Sequence, residues 1–110
     1  MEYLIARLGE RLVVTPATAI DWIEAKGDYV QIHCGKETSL VRKSMKELES
    51  ELDGNLFVRV HRSTIVNVDR IRELHRMFHG DFGIVLRDGT KVTLSRRYRS
   101  RFEQIVGGTL

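Results

Sequence analysis

A chain of 110 residues, 42% hydrophobic and 30% charged with a formal net charge of +3, has room for one domain and one modest core. Its composition is that of a globular protein, which excludes wholesale disorder, and no apolar run nears the roughly 18–20 residues that span a bilayer. The N-terminus lacks the basic and apolar segments of a secretory signal and Cys34 stands alone, so the chain reads as cytoplasmic, without an internal disulfide.

Tyr3–Leu8 and Arg11–Thr15 read as two short leading strands joined at Gly9-Glu10, and Pro16, which cannot donate to a sheet ladder, ends the second. Ile20–Ala25 and Tyr29–Cys34 are the next strands, separated by the polar bend Lys26-Gly27-Asp28. Cys34 alternates with Val30 and Ile32, the pattern of a buried, inert thiol. Trp22 alternates with Ile20 and belongs to the sheet packing, while Tyr29 either caps the bend or packs inward. Gly35-Lys36 then turns the chain into a strand through Thr38–Val41.

Ser44–Leu52 has a different period. Met45, Leu48 and Leu52 recur at the spacing of one helix face, Ser44 with Glu47 matches a capping box, and Gly54 stands as a C-terminal stop. The outer face, Lys46, Glu47, Glu49 and Glu51, is too acidic to approach DNA, so this short amphipathic helix is not a recognition helix.

Phe57–His61 alternates again, with Val58 and Val60 on one face and Phe57, Arg59 and His61 on the other. The polar run His61-Arg62-Ser63-Thr64 interrupts the pattern before Ile65-Val66-Asn67-Val68 resumes it. Val68–Met77 reads as a strand, followed by His79-Gly80-Asp81. Phe82–Arg87 and Lys91–Leu94 form a hairpin through Asp88-Gly89, a pair suited to the positive φ of a tight turn. Tyr98, Phe102, Ile105 and Val106 close the chain at helical spacing, as a terminal helical turn or two. The expected fold is mostly β, with no repeat or linker and no heptad or large exposed apolar stripe to drive a dimer.

Charge is divided unevenly along this order. Residues 1–53 carry seven Lys/Arg against ten Asp/Glu, a net −3, whereas residues 54–110 carry eleven against five, a net +6. Lys91–Phe102 alone holds five cations and no acid. A one-sided basic half fits a polyanionic partner. Three bends share the chemistry such a partner needs: Lys26-Gly27-Asp28, His61-Arg62-Ser63 and Ser95-Arg96-Arg97. Arginine donates in bidentate fashion to guanine O6 and N7, and serine and backbone N–H groups suit phosphate oxygens. Arg97 and Arg101, four apart, would share a face if one helix held both. One such bend could equally be a simple turn of the chain; three of them favour contact.

Catalytic and metal-binding readings find less support. His33, His61, His75 and His79 have no spacing that brings two onto one metal, and Cys34 and His33 point to opposite faces of one strand. Glycine-rich phosphate signatures are absent. The sequence therefore predicts no enzyme, no metal and no cofactor. The competing function is a small β-rich interaction or ligand-sensing module with a basic face.

The segments IDWIEAKGDYVQIH, VRKSMKELESEL, FVRVHRSTIVNVDRI and LRDGTKVTLSRRYRSRF, in that order, resemble the LytTR-type DNA-binding domain of bacterial transcription regulators, many of them response regulators of two-component systems. The likeness covers about residues 18–103. It implies an elongated stack of small antiparallel sheets with one short helix, and loops that read double-stranded DNA in successive major grooves. It also implies base and phosphate contacts around Asp28 and Tyr29, at Arg62 and Ser63, and at Ser95 and Arg97, with a basic backbone contact at Arg87. Joined to the three bends, the candidate DNA-binding set is Lys26, Asp28, Tyr29, His61, Arg62, Ser63, Arg87, Ser95, Arg96, Arg97 and Arg99. Asp28 can accept from cytosine N4 but repels phosphates. The expected domain is single, with its core at about 18–106 and residues 1–17 as leading strands. Residues 1–17 cannot form the input module that family members usually carry, so the chain reads as an excised effector domain or a stand-alone form. The expected assembly is a monomer when free, with two copies filling repeated half-sites on DNA.

Overall fold

Alternating apolar residues and turn-forming pairs give ten strands in the computed structural model, which describes residues 1–110. In chain order the elements are β1 (Tyr3–Leu8), β2 (Arg11–Pro16), β3 (Trp22–Lys26), β4 (Tyr29–Cys34), β5 (Glu37–Val41), α1 (Met45–Glu51), β6 (Phe57–His61), β7 (Thr64–Asn67), β8 (Ile71–Arg76), β9 (Phe82–Leu86), β10 (Lys91–Leu94) and α2 (Arg99–Val106). Seven strands form one antiparallel sheet in the order β2-β1-β5-β4-β3-β7-β6, and three form a second in the order β10-β9-β8. The molecule is elongated, 42 × 26 × 24 Å.

Each sheet has its own core, and β6 and β7 divide them. Phe57 and Ile65 point into the first core, with Ile23, Val30, Ile32 and the α1 residues Met45, Leu48 and Leu52. Val58, Val60 and Val66 point into the second, with Phe82, Ile84, Leu86, Leu94 and Phe102 of α2. The period-2 side-chain alternation of a strand lets one segment serve both cores. Both faces of β6 and β7 are thus covered by apolar packing, which makes their connecting turn a rigid mount.

α1 forms as its local sequence dictates. The Ser44 hydroxyl accepts from the Glu47 N–H at 3.0 Å and the Glu47 carboxylate accepts from the Ser44 N–H at 3.1 Å. Those bonds hold the Glu47 carboxyl below its ordinary pKa. At the other end Gly54 has no part in the stop: Leu52 itself turns extended, its N–H still bonded to the Leu48 carbonyl while its side chain is buried.

Several expected boundaries shift for reasons in the packing. Val68–Arg70 form a short 3₁₀ turn where strand was expected, so β8 starts at Ile71, and β3 starts at Trp22 in place of Ile20, after another 3₁₀ turn at Ala17–Ala19. Buried Asn67 organises both, donating through Nδ2 to the Ile20 carbonyl at 2.8 Å and accepting through Oδ1 from the Asp69 N–H at 2.9 Å. Arg70 then reaches Asp21 Oδ1 at 2.7 Å. The terminal helical turn is a two-turn helix, α2, seated by fully buried Phe102. Cys34 is half-buried, donates to the Ala19 carbonyl at 3.0 Å, and its pKa is raised by burial and by the carboxylates of Asp21 and Glu37.

The leading hairpin joins the large sheet through a single residue pair, Arg7 with Leu40. Leu4 and Ala6 are buried in the first core, but Tyr3, Ile5, Leu12 and Val14 are 61–73% exposed. An apolar outer face therefore exists where the sequence suggested none.

Candidate nucleic-acid interface

The three polar bends come together because of strand pairing. Gly27-Asp28 closes the β3–β4 hairpin, whose last pair is Lys26 with Tyr29. Arg62-Ser63 closes the β6–β7 hairpin, whose last pair is His61 with Thr64. β3 pairs with β7, so the two turns stand side by side, and the Ala25 N–H donates to the Ser63 carbonyl at 2.9 Å. The third bend follows β10 in the other sheet, and the Ser95 N–H donates to the Val60 carbonyl at 2.8 Å. That one bond stitches the sheets together at the end of β6. Lys26, Asp28, Tyr29, His61, Arg62, Ser63, Ser95, Arg96 and Arg97 thus share one end of the molecule. Lys26, Asp28, Arg62, Arg96 and Arg97 are exposed there, and the other four are half-buried.

A β-bulge changes the expected direction of His61. Pairing with β7 shifts between Arg59 and His61, so the chain gains a residue at Val60. Simple alternation put His61 beside Arg59; the bulge turns it to the face of Thr64 and Trp22, where it lines a groove of about 220 Å³ with Ser63 and Lys91. His61 Nδ1 lies 2.9 Å from Ser63 Oγ and accepts from the Ser63 N–H at 3.2 Å. The imidazole therefore fixes the shape of the Arg62-Ser63 turn. Tyr29, left open between capping and packing, is half-buried beneath Arg7, whose guanidinium lies 5.7 Å from the ring centroid. Trp22 stacks on His33 at 4.1 Å, and His33 bonds Glu24 at 2.9 Å, which accounts for both as sheet packing.

Arg59 is the residue that sequence reading missed. Its Nη2 donates to the Arg62 carbonyl, its Nη1 lies 3.4 Å from Glu49 of α1, and its guanidinium sits 5.7 Å over the Tyr98 ring. One side chain, 17% exposed, thereby ties the second bend, the 3₁₀ turn Arg96–Tyr98 of the third, and the acidic helix face. The available signal was a cation alternating with Phe57 on a strand face that had to be buried. Arg59→Ala is expected to lower stability by about 1–2 kcal/mol and to weaken duplex binding several-fold, though Arg59 is placed to support the bends and not to touch DNA. Arg59→Lys should restore little, because an ammonium lacks the planar fork. Urea unfolding and duplex titration on the same variants check this, and full binding by Arg59→Ala would refute the support role.

Three expected features lie elsewhere. Arg87 is at the opposite end of the second sheet, beside the Asp88-Gly89 turn where Gly89 has φ 92°. Its N–H donates to the Arg70 carbonyl at 2.8 Å and its Nε to the Asp69 carbonyl at 3.0 Å, so it clamps the hairpin to the 3₁₀ turn. Arg99 is half-buried: it donates to the Leu110 carbonyl and lies 5.4 Å over the Phe82 ring, which engages its guanidinium in packing. Arg97 and Arg101 do not share a helix face, since Arg97 is in the 3₁₀ turn before α2 begins and Arg101 is within α2, its Nη2 pointing toward Gly54.

No group of three His, Cys, Asp or Glu side chains is placed to hold a metal ion, and no helix is long and apolar enough to cross a membrane. An end bearing arginines, serines and one lysine on rigid strand termini is chemically matched to a nucleic-acid backbone and to base edges.

Known proteins agree with that chemistry. The chain is 25% identical over 103 residues to the sensory transduction protein LytT of Bacillus subtilis, covering 94% of this chain and 43% of LytT. It is 31% identical over 98 residues to the transcriptional regulatory protein YpdB of Escherichia coli, covering 88% of this chain and 40% of YpdB. It thus spans less than half the length of these relatives. A solved LytTr DNA-binding domain from Bacillus cereus superposes with a TM-score of 0.90 at 26% identity, covering 97% of this chain and 98% of that one. The family model of the LytTr DNA-binding domain matches residues 10–107. By that match the chain belongs to the LytTR family and is a DNA-binding domain of the kind found in transcription regulators.

Proposed function

We propose that the chain binds double-stranded DNA sequence-specifically through the three bends, inserted at the major groove, as the effector part of a cytoplasmic regulator of transcription with no catalytic role. The observation that carries this reading is the pair of backbone bonds, Ala25 N–H to Ser63 carbonyl and Ser95 N–H to Val60 carbonyl, which hold the bends in one row. Arg62, Arg96 and Arg97 are exposed in that row and Ser63 and Ser95 stand between them. Arginine is the residue for base edges, serine and main-chain N–H groups for phosphates. Lys26 and Asp28 form the outer end of the row, where Asp28 selects for a base-edge donor and against a phosphate. Arg87, at the far end of the second sheet, is the one candidate that would need a separate stretch of DNA backbone.

Two copies on repeated half-sites suit this size, because one row covers few base pairs and a second copy adds affinity without new chemistry. The free domain is monomeric on the same reading. The apolar face of α1 is consumed by the first core. The four exposed side chains of the leading hairpin fall far short of the roughly 20–30 residues a side in a stable interface. A basic interaction or ligand-sensing module, the other reading, draws no support from the family assignment.

A duplex selected by the domain from a random pool, titrated from low to physiological salt beside a scrambled duplex, tests the function. Each phosphate neutralised contributes about −0.9 to the slope of log K against log salt, so three or four contacts give a slope of about −3 to −4. The selected duplex should stay well above the scrambled one throughout. Equal affinity for both, or binding indifferent to salt, would end the reading.

A further inference from the structure

Counted along the chain, residues 1–53 are acidic, with seven Lys/Arg against ten Asp/Glu. Strand pairing sorts those charges in space. Tyr29 faces Lys26 across the β3–β4 ladder, and Val30 faces Val41 across β4–β5, so Arg42, the next residue, stands beside Tyr29. Arg7, near the end of β1, pairs with Leu40 and brings its guanidinium to 5.7 Å from the Tyr29 ring centroid. Three cations thus meet at one aromatic ring beside the first bend, all within a single sheet.

That corner is open. Ala25, Val30, Ile32 and Val41 point into the first core, so by strand alternation Lys26 and Tyr29 point the other way. The second sheet covers this opposite face through Trp22, Val58, Val60 and Val66 of β3, β6 and β7, and no side chain of β1, β4 or β5 belongs to that core. Arg7, Lys26 and Arg42 are exposed and form no ion pair, whereas neighbouring Lys43 is bonded to Glu51 at 2.6 Å. Glu24, an acid on the same face, is taken by His33 at 2.9 Å. Arg42 is fixed in place: the Lys43 N–H donates to the Val41 carbonyl at 3.1 Å, a three-residue turn that pivots on Arg42 between β5 and α1. Arg7 is held by the ring, which attracts the cation without occupying an N–H donor. Like charges gathered without acid partners repel one another, and a bound anion removes that cost.

We propose that Arg7 and Arg42 bind phosphodiesters of the DNA backbone outside the first bend, on the wall of the groove that this bend enters, with no part in reading bases. This rests on the DNA-binding reading above and adds two contacts to it. A major groove is roughly 12 Å wide, so a bend at its centre has a phosphate wall about 6 Å to each side. β5 lies next to β4 on the side away from the second bend, so Arg42 stands about 4.8 Å from Tyr29 in that direction. The requirement concerns one bend and one groove, and it holds whichever grooves the other two bends enter. Neither arginine has an N–H donor committed to the protein, and phosphate contacts of this kind set register without carrying sequence information.

Phosphate-ethylation interference on the selected duplex reads these contacts directly. With wild type, ethylation of phosphates flanking the base pairs read by the first bend should block binding. In the double variant Arg7→Gln, Arg42→Gln those positions should no longer matter, while the rest of the pattern stays. The two contacts should steepen the salt slope from the about −3 to −4 of the bends alone to about −5, and each single substitution should remove about 0.9 of it. Each should also weaken the selected and scrambled duplexes by the same several-fold factor. Arg42→Lys should restore binding, since a phosphate needs charge and a base edge needs the fork. An unaltered pattern and slope in the double variant, with wild type bound specifically, overturns the contacts and leaves the DNA-binding function standing. Lost discrimination at one base pair would make the corner a base reader and overturn the proposal too. A weaker Arg7→Gln with an unchanged slope would mean that Arg7 only positions Tyr29, which overturns its half of the assignment. Failure of wild type to prefer the selected duplex overturns the underlying reading instead. Arg42 has no side-chain partner in the protein, so Arg42→Gln should leave urea unfolding unchanged and the variant folded.

Discussion

Arg97→Ala should lose about 1–3 kcal/mol of affinity for the selected duplex and become indifferent to the base at one position of it, while its thermal unfolding stays within about 0.5 kcal/mol of wild type. The two halves of this result come from one structural fact. Arg97 is exposed and makes no hydrogen bond, ion pair or ring contact within the protein, in contrast to Arg59, Arg70, Arg87 and Arg99. All five of its N–H donors are therefore available to a ligand, and folding does not depend on them. The backbone on either side is fixed: the Tyr98 N–H donates to the Ser95 carbonyl at 2.9 Å, and the 3₁₀ turn runs directly into α2. A donor fork on a rigid mount reads a base pair, whereas one on a floppy loop would only follow the phosphates. Affinity measured on duplexes mutated one base pair at a time separates the outcomes. If Arg97→Ala weakens every duplex equally and reduces the salt slope by about one, Arg97 is a phosphate contact and Arg62 becomes the better candidate for base readout.

How much of this was legible in the sequence follows from how local each feature is. The capping box of α1, the Asp88-Gly89 hairpin and the strand β4 depend on residues a few positions apart, and they stand where the sequence placed them. Division into two sheets depends on which strands pair, and no local pattern says that β3 finds β7 or that Ser95 finds Val60. The three bends were visible as turn chemistry; their alignment into a row was not. The bulge at Val60 was hidden for another reason, since the alternation Phe57 to His61 looks regular and the extra residue shows only in the pairing register with β7, between Arg59 and His61. Charge counting overstated the interface. The second half carries eleven Lys/Arg, but Arg59, Arg70, Arg72, Arg87 and Arg99 are bonded within the protein, and the exposed guanidinia at the bends are Arg62, Arg96 and Arg97.

Phe102→Ala should destabilise the domain by about 3–5 kcal/mol, a large share of the roughly 5–15 kcal/mol that holds a domain of this size together. Phe102 is 1% exposed and joins α2 to Val58, Val60, Phe82 and Leu94, so its loss opens a cavity that no neighbour can fill without moving a strand. Damage should be uneven. α2 is continuous with the 3₁₀ turn that carries Arg96 and Arg97, and Ser95 follows Leu94, another member of the same core. Leu48→Ala, in the first core, removes a comparable side chain at a cost of about 2–5 kcal/mol but touches none of these. At a low temperature where both variants remain folded, Phe102→Ala should bind the selected duplex far more weakly than Leu48→Ala does. Hydrogen exchange should show β9, β10 and α2 opening ahead of β4 and α1 in the Phe102 variant, and the reverse order in the Leu48 variant. Equal binding by the two at matched stability would mean that the third bend is held by the β6 junction alone, through the Ser95–Val60 bond, and that α2 contributes stability without positioning the arginines.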